Sequence, residues 1–103
     1  MVFIQVSSIH GEATSLELPT IHLNGTSKGT LLGNIQDAYD AVGNAQRFLA
    51  ETGPNGRDYY RGLKAGADYD RLAKATEEHY SRMAKLASIL TELEELAEGI
   101  DKQ

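Results

Sequence analysis

Apolar residues recur at helical spacing through the last third of the chain. Tyr69, Leu72, Thr76, His79, Met83, Leu86, Leu90, Leu93, Ala97 and Ile100 step by three or four residues without a break. That period places them along one side of an α-helix. It predicts a helix over 68–98, with Asp68 as its N-cap. A second seam, Leu31, Ile35, Ala38, Val42, Ala45 and Leu49, predicts a helix over 28–52, and Leu32, Tyr39 and Phe48 widen its apolar face. Thr26 or Ser27 supplies the capping oxygen, and Gly53-Pro54 supplies the stop. Gly29, Gly33 and Gly43 each cost that helix up to about 1 kcal/mol against Ala. Close approach of another helix is the compensation they suggest.

Ahead of the helices the period changes. Val2, Phe3, Ile4 and Val6 form a short apolar run. Leu16, Leu18, Ile21 and Leu23 stand between polar neighbours as a half-buried strand would have them. His10-Gly11-Glu12 suits a turn, and Pro19 confines the second run to a sheet edge or divides it. Residues 1–24 are therefore expected to be an extended β arm, a hairpin or three short strands, that leans on the helices or pairs with another chain. Residues 25–103 are expected to be a helical hairpin with a loop over 53–67, the whole chain being one domain.

Helices of these lengths span roughly 37 Å and 45 Å and match as an antiparallel pair. Charge supports the pairing. Glu94, Glu95 and Glu98 oppose the macrodipole at the end of their own helix, but in a hairpin they lie near the start of the first helix and Lys28. At the other end Glu51 is expected to meet Arg71 or Lys74. Two helices enclose no interior, so the wide apolar faces predict a homo-oligomer, a four-helix bundle or larger. The fold class is mainly α: a two-helix hairpin with a β arm, assembling into an oligomeric helical bundle.

Composition narrows the chemistry. The 103 residues include no Cys, which removes disulfides, thiolate metal sites and thiol nucleophiles. With 15 acidic against 10 basic residues, the net charge of -5 argues against duplex nucleic acid as a partner. No stretch approaches the roughly 20 apolar residues of a membrane span. Met1–Ile9 lacks the basic flank and length of a secretory leader, so a cytoplasmic location is expected. No activated nucleophile, paired acid and base or phosphate-cradling glycine motif is present, so neither an enzyme nor a cofactor is expected. His10, His22 and His79 are too scattered for a metal site, and His79, on the seam, reads as a satisfied core imidazole.

Two segments are richer than their structural duties require. The first is Asn24 to Lys28, where Thr26, Ser27 and Lys28 at a helix start would suit an anion. Plain capping, which needs one hydroxyl, is the competing explanation. The second is Arg57-Asp58-Tyr59-Tyr60-Arg61, after the ordinary turn residues Pro54-Asn55-Gly56. Paired tyrosines stack on bases and arginines hold phosphate or ribose, with Asp58 placed to orient Arg57. A loop packed by its own aromatics explains the same residues. The segments lie at opposite ends of the first helix. A pocket joining them therefore requires Asn24–Lys28 of one protomer and Arg57–Arg61 of another.

These segments also carry a resemblance. His22–Ser27 (HLNGTS), Pro54–Tyr60 (PNGRDYY), Glu78-His79, Arg82-Met83 and Leu93–Leu96 (LEEL) resemble a recurrent pattern in small phage and prophage proteins. The likeness covers about residues 21–98 and leaves residues 1–19 as an extension. What the resemblance implies is a habitat in the cytoplasm of an infected host. Small phage proteins without enzyme motifs are often counter-defence factors. One expectation is thus a sponge that sequesters a cyclic nucleotide or ADP-ribose-type immune signal, by analogy of size and habitat. Its ligand-binding residues would be Asn24, Thr26, Ser27, Lys28, Arg57, Asp58, Tyr59, Tyr60 and Arg61. The alternatives are an inhibitor or adaptor that binds a host protein through the acidic helical face, and a structural phage component.

Overall fold

The computed structural model describes residues 16–60 and 65–103, and of residues 65–67 the helical backbone alone. Helix α1 runs Lys28–Ala50 and helix α2 runs Ala65–Asp101, joined through a short 3-10 helix, η1, at Gly56–Tyr59. The two α-helices pack antiparallel. Lys28 at the start of α1 reaches the end of α2, Tyr39 meets Glu94 midway, and Gly53 lies against His79 beyond the end of α1. The hairpin expected from the two seams is therefore present.

Each boundary has a local cause. Ser27 takes extended backbone angles, and its hydroxyl accepts from the Thr30 amide at 3.1 Å, so Ser27 is the cap and not Thr26. α1 stops at Ala50, where Thr52 donates its hydroxyl to the Leu49 carbonyl before Gly53-Pro54. α2 starts earlier than its sequence signal, so Asp68 stands inside the first turn and not at the cap. A carboxylate there still favours the helix dipole.

The α2 seam packs as its spacing predicts, with Leu72, Met83, Leu86, Leu90 and Leu93 half-buried and Ala97 and Ile100 fully buried. The exception is Tyr69, which is exposed. α1 keeps most of its expected face, with Leu31, Leu32, Ile35, Tyr39, Val42 and Leu49 half-buried. Ala38, Ala45 and Phe48 point outward, whereas Gln36 is the most buried residue of the helix and Gln46 is half-buried. Gln36 keeps its amide satisfied by donating to Asp40 at 2.9 Å, while its carbonyl oxygen has no partner. Gly29, Gly33 and Gly43 do not mark close helix contact within the chain. A methyl group at any of them would meet nothing within 4 Å.

Residues 16–27 contain no strand, which corrects the β expectation for that half of the arm; the expectation for residues 1–15 falls outside the described residues. The segment is instead a strap across the end of α2. Its backbone partner is the Gln103 side chain, which accepts from the Ile21 amide at 2.9 Å and donates to the Pro19 carbonyl at 2.6 Å. With Pro19 lacking an N–H, a strand ladder has little left to pair. Leu18 presses so closely on Gly99 that an added Cβ would lie 2.5 Å from its Cδ1. Leu23 continues the alternation only in sequence, since it is 98% exposed in the turn before α1.

Glycines in this fold thus divide into two kinds, which gives a paired test. Gly33→Ala should raise stability by about 0.5–1 kcal/mol, because it gains helix propensity in open space. Gly99→Ala gains the same propensity but displaces the half-buried Leu18, whose partial burial is worth about 1–2 kcal/mol, so it should lower stability by about 0.5–1 kcal/mol. Urea denaturation midpoints moving in opposite directions would agree with this packing. A rise for Gly99→Ala would mean that the strap does not lie on α2.

Candidate functional site

The Asn24–Lys28 segment is set by the turn that precedes α1. The Gly25 amide donates to the His22 carbonyl at 3.2 Å, and the His22 ring lies over Gly25, within 2.7 Å of where a Cβ would stand. A Cβ there would push the exposed His22 ring aside. Ser27 is committed to the cap, and it also donates to the Thr30 hydroxyl at 2.8 Å. Lys28 is committed too. Its ammonium donates to the carbonyls of Asp101 at 2.8 Å and Gln103 at 3.0 Å, and it lies 4.0 Å from the Asp101 carboxylate. It therefore caps the carboxyl end of α2, where unpaired carbonyls and the negative pole of the helix attract a cation. An anion at this helix start would compete with those carbonyls for Lys28. Asn24 and Thr26 are exposed, with side chains turned to solvent.

At the other end of α1 the Asn55 side chain organises η1. It accepts from the Arg57 amide at 3.0 Å and donates to Asp58 at 2.9 Å. Asp58 is thus held by Asn55 and does not orient Arg57. Tyr59 turns inward to Arg71, whose guanidinium lies 5.5 Å from its ring and donates to its carbonyl at 3.1 Å. That cation–π contact and hydrogen bond fasten η1 to α2. Arg71 is accordingly not the partner of Glu51. Gly53 lies against His79, so the end of α1 falls about two turns short of Arg71. Arg57 and Tyr60 remain exposed, Tyr60 by 73%. Arg57 lies within η1, whereas Tyr60 is its C-cap and takes extended backbone angles. Arg61 lies outside the described residues.

A single chain does not bring the two segments together. The 23 residues of α1 separate them by roughly 34 Å. Nor is the acidic end of α2 a free face. Glu94 accepts from Tyr39 at 2.9 Å, and Glu98 pairs with Lys102 at 3.1 Å. That hydrogen bond to Glu94, followed by burial and the charges of Glu94 and Asp40, raises the Tyr39 hydroxyl above the ordinary tyrosine range. His79 is buried, as its seam position implies, but its Nδ1 has no partner, so it is not the fully satisfied imidazole expected. Among the described residues no three His, Asp or Glu side chains are placed to hold a metal, and no helix is long and apolar enough to cross a membrane.

One feature was missed in the sequence. The first turns of α2 project past the end of α1, and their outer side forms an open groove lined by Tyr69, Leu72, Ala73, Thr76, Glu77 and Tyr80. Tyr69 is 71% and Tyr80 68% exposed. The signal was available in the placement of Tyr80 and Ala73 off the main seam, which gives this stretch a second apolar side. Compared with known protein families, with curated proteins and with solved structures, the chain matches none.

Two substitutions check these assignments. Lys28→Met should cost about 1 kcal/mol, the usual worth of a partly exposed cationic cap, where an unoccupied anion site would leave stability unchanged or improved. Tyr39→Phe should cost about 1 kcal/mol at neutral pH. Because the folded state raises the Tyr39 pKa, its contribution is complete below the unfolded value of about 10 and is lost as pH climbs through the folded one. Stability curves of wild type and Tyr39→Phe should accordingly run parallel to about pH 9 and converge above about pH 10.

Proposed function

We propose that this protein is a non-catalytic oligomer that binds a small nucleotide-like ligand, of cyclic-nucleotide or ADP-ribose type, and sequesters it between protomers. The observation that carries the reading is the pairing of Arg57 with Tyr60. Both are exposed, three residues apart, on a loop that Asn55 and Arg71 hold in place. A guanidinium for phosphate beside a phenol ring for stacking, on a fixed support, is the minimum such a ligand needs. Tyr59 and Asp58 serve as its supports. Asn24 and Thr26 add an amide and a hydroxyl with no internal duty, and Ser27 and Lys28 shape that end. Since the two ends are far apart in one chain, a neighbour supplies the second half of the pocket.

Association has an independent reason. Among the described residues, only Ala75, Ala97 and Ile100 are fully buried apolar side chains, too few to hold two long helices on their own. A bundle of four or more helices would cover Phe48, Ala38 and Ala45 of α1 and the groove on α2. In the phage setting that the sequence pattern suggests, the activity is counter-defence in the host cytoplasm. The rival reading, a host protein bound by the acidic helical face, is weakened by Tyr39 and Lys102 already engaging Glu94 and Glu98.

Native mass spectrometry and thermal shift against cyclic di- and trinucleotides and ADP-ribose isomers test the reading. Binding should appear as added mass on an oligomer, with a melting temperature that rises with ligand concentration. Arg57→Ala and Tyr60→Ala should each weaken it by about ten- to hundredfold with helicity unchanged. Silence across the panel from a folded protein would end the proposal.

A further inference from the structure

Among the described residues, the unequal lengths of the helices leave the start of α2 without an α1 partner on its outer side. α2 has 37 residues and α1 has 23, and Lys28 holds the two flush at the end of α2. The surplus therefore emerges at the other end, carrying the groove between Tyr69 and Tyr80. Arg71 holds Tyr59 on the opposite side of the same turns, and η1 touches the groove only at its edge, where Gly56 lies against Leu72.

We infer that this groove is the contact surface for a second copy of the chain, with the two α2 helices antiparallel about a two-fold axis between Lys74 and Ala75. This names one interface of the oligomer and rests on the association reading above. Three observations select that occupant. The lining is compatible with an isologous contact, in which one patch faces its own copy. Reversing the helix about the midpoint of Lys74 and Ala75 carries Tyr69 onto Tyr80, Leu72 onto Glu77 and Ala73 onto Thr76. Large residues thus stand at both ends and small ones at the centre. Two helices brought together this way approach closely at Ala73 and Thr76 while each Tyr69 lies level with Tyr80 of the other copy.

Charge makes the same selection. Between Ala65 and Lys85 there are four acidic and four basic side chains, whereas from Leu86 to the end five acidic residues face one lysine. Two copies of a chain with net charge -5 meet at least repulsion through this balanced half. The third observation excludes the nucleotide itself from the groove. Its lining holds one charged residue, Glu77, which has the wrong sign for phosphate. A dimer built here places the Asn24–Lys28 segments at its two far ends. A pocket joining them to Arg57 and Tyr60 of another chain then needs dimers to associate further.

The chain has no cysteine, which makes the register directly testable. Full-length Tyr69→Cys and Tyr80→Cys variants are prepared separately, mixed, and oxidised in air. Covalent dimer should form in the mixture and not in either variant alone, because identical positions lie roughly 16 Å apart across the axis. In parallel, sedimentation of Tyr69→Glu and Tyr80→Glu should show dimer dissociation constants raised about tenfold or more, with circular dichroism reporting intact helices. Cross-linking within a single variant, or an assembly in sedimentation without cross-linking in the mixture, would overturn this interface and leave the association reading standing. A wild-type monomer at every concentration would overturn both.

Discussion

Lys28 bonded to the last carbonyls of α2 is the contact on which the rest of the arrangement depends. A cation at the negative end of a helix is favourable wherever it comes from, but here it comes from the first turn of the antiparallel partner. That fixes the register of the hairpin at one end. The Tyr39–Glu94 hydrogen bond repeats the register midway, and Gly53 under the His79 ring repeats it at the loop. With one end closed flush, the difference in helix length has to appear at the other. The projecting start of α2, the seat of η1 and the exposed groove all follow from that single alignment.

The same end of α2 also organises the segment before α1. Gln103 offers its side-chain amide to Pro19 and Ile21 as a strand would offer backbone, and Gly99 leaves the hollow that Leu18 fills. The best-buried part of the molecule is therefore where strap, helix start and helix end converge on Ala97 and Ile100. Most of the acidic side chains of α2 lie there, and they are tolerated because Tyr39, Lys28 and Lys102 meet them. Stability is concentrated at one end, and unpaired apolar surface at the other.

How far this was legible differs by element, for physical reasons. The α2 seam was readable because ten positions in unbroken period leave one packing face, and only Tyr69, beyond the reach of α1, departs from it. The α1 face was legible at Leu31, Ile35, Val42 and Leu49 but not at its margins, where Gln36 and Gln46 pack inward and Ala38 and Ala45 face out, polarity hiding the former. Alternation at Leu16, Leu18 and Ile21 marked real burial but not a strand. Three apolar residues on a strap crossing a helix end give the same pattern as a β edge, and Gln103, 82 residues from Ile21, could not be foreseen as the partner. Of the candidate site, the richness of both segments was visible, but not the division of labour within them. Which hydroxyl caps, which tyrosine packs and where Lys28 is spent depend on contacts between residues distant in sequence.

That division of labour bears on what kind of function the chain can carry. A catalytic site needs groups converging within a few ångströms, held by a shell that fixes their rotamers. Here the polar groups with spare capacity, Asn24 and Thr26 at one end and Arg57 and Tyr60 at the other, are kept apart by the length of α1. Under the proposed reading, one hairpin does not bring both sets to the same ligand. Repetition of the hairpin does, because antiparallel neighbours set the end of one beside the start of another. Under the proposed assembly, the balanced charge of the projecting half of α2, against the acidity of the other half, would determine which surfaces meet first. In such a design binding and assembly are one equilibrium, and a ligand held between subunits would stabilise the oligomer by the same free energy with which the oligomer holds the ligand.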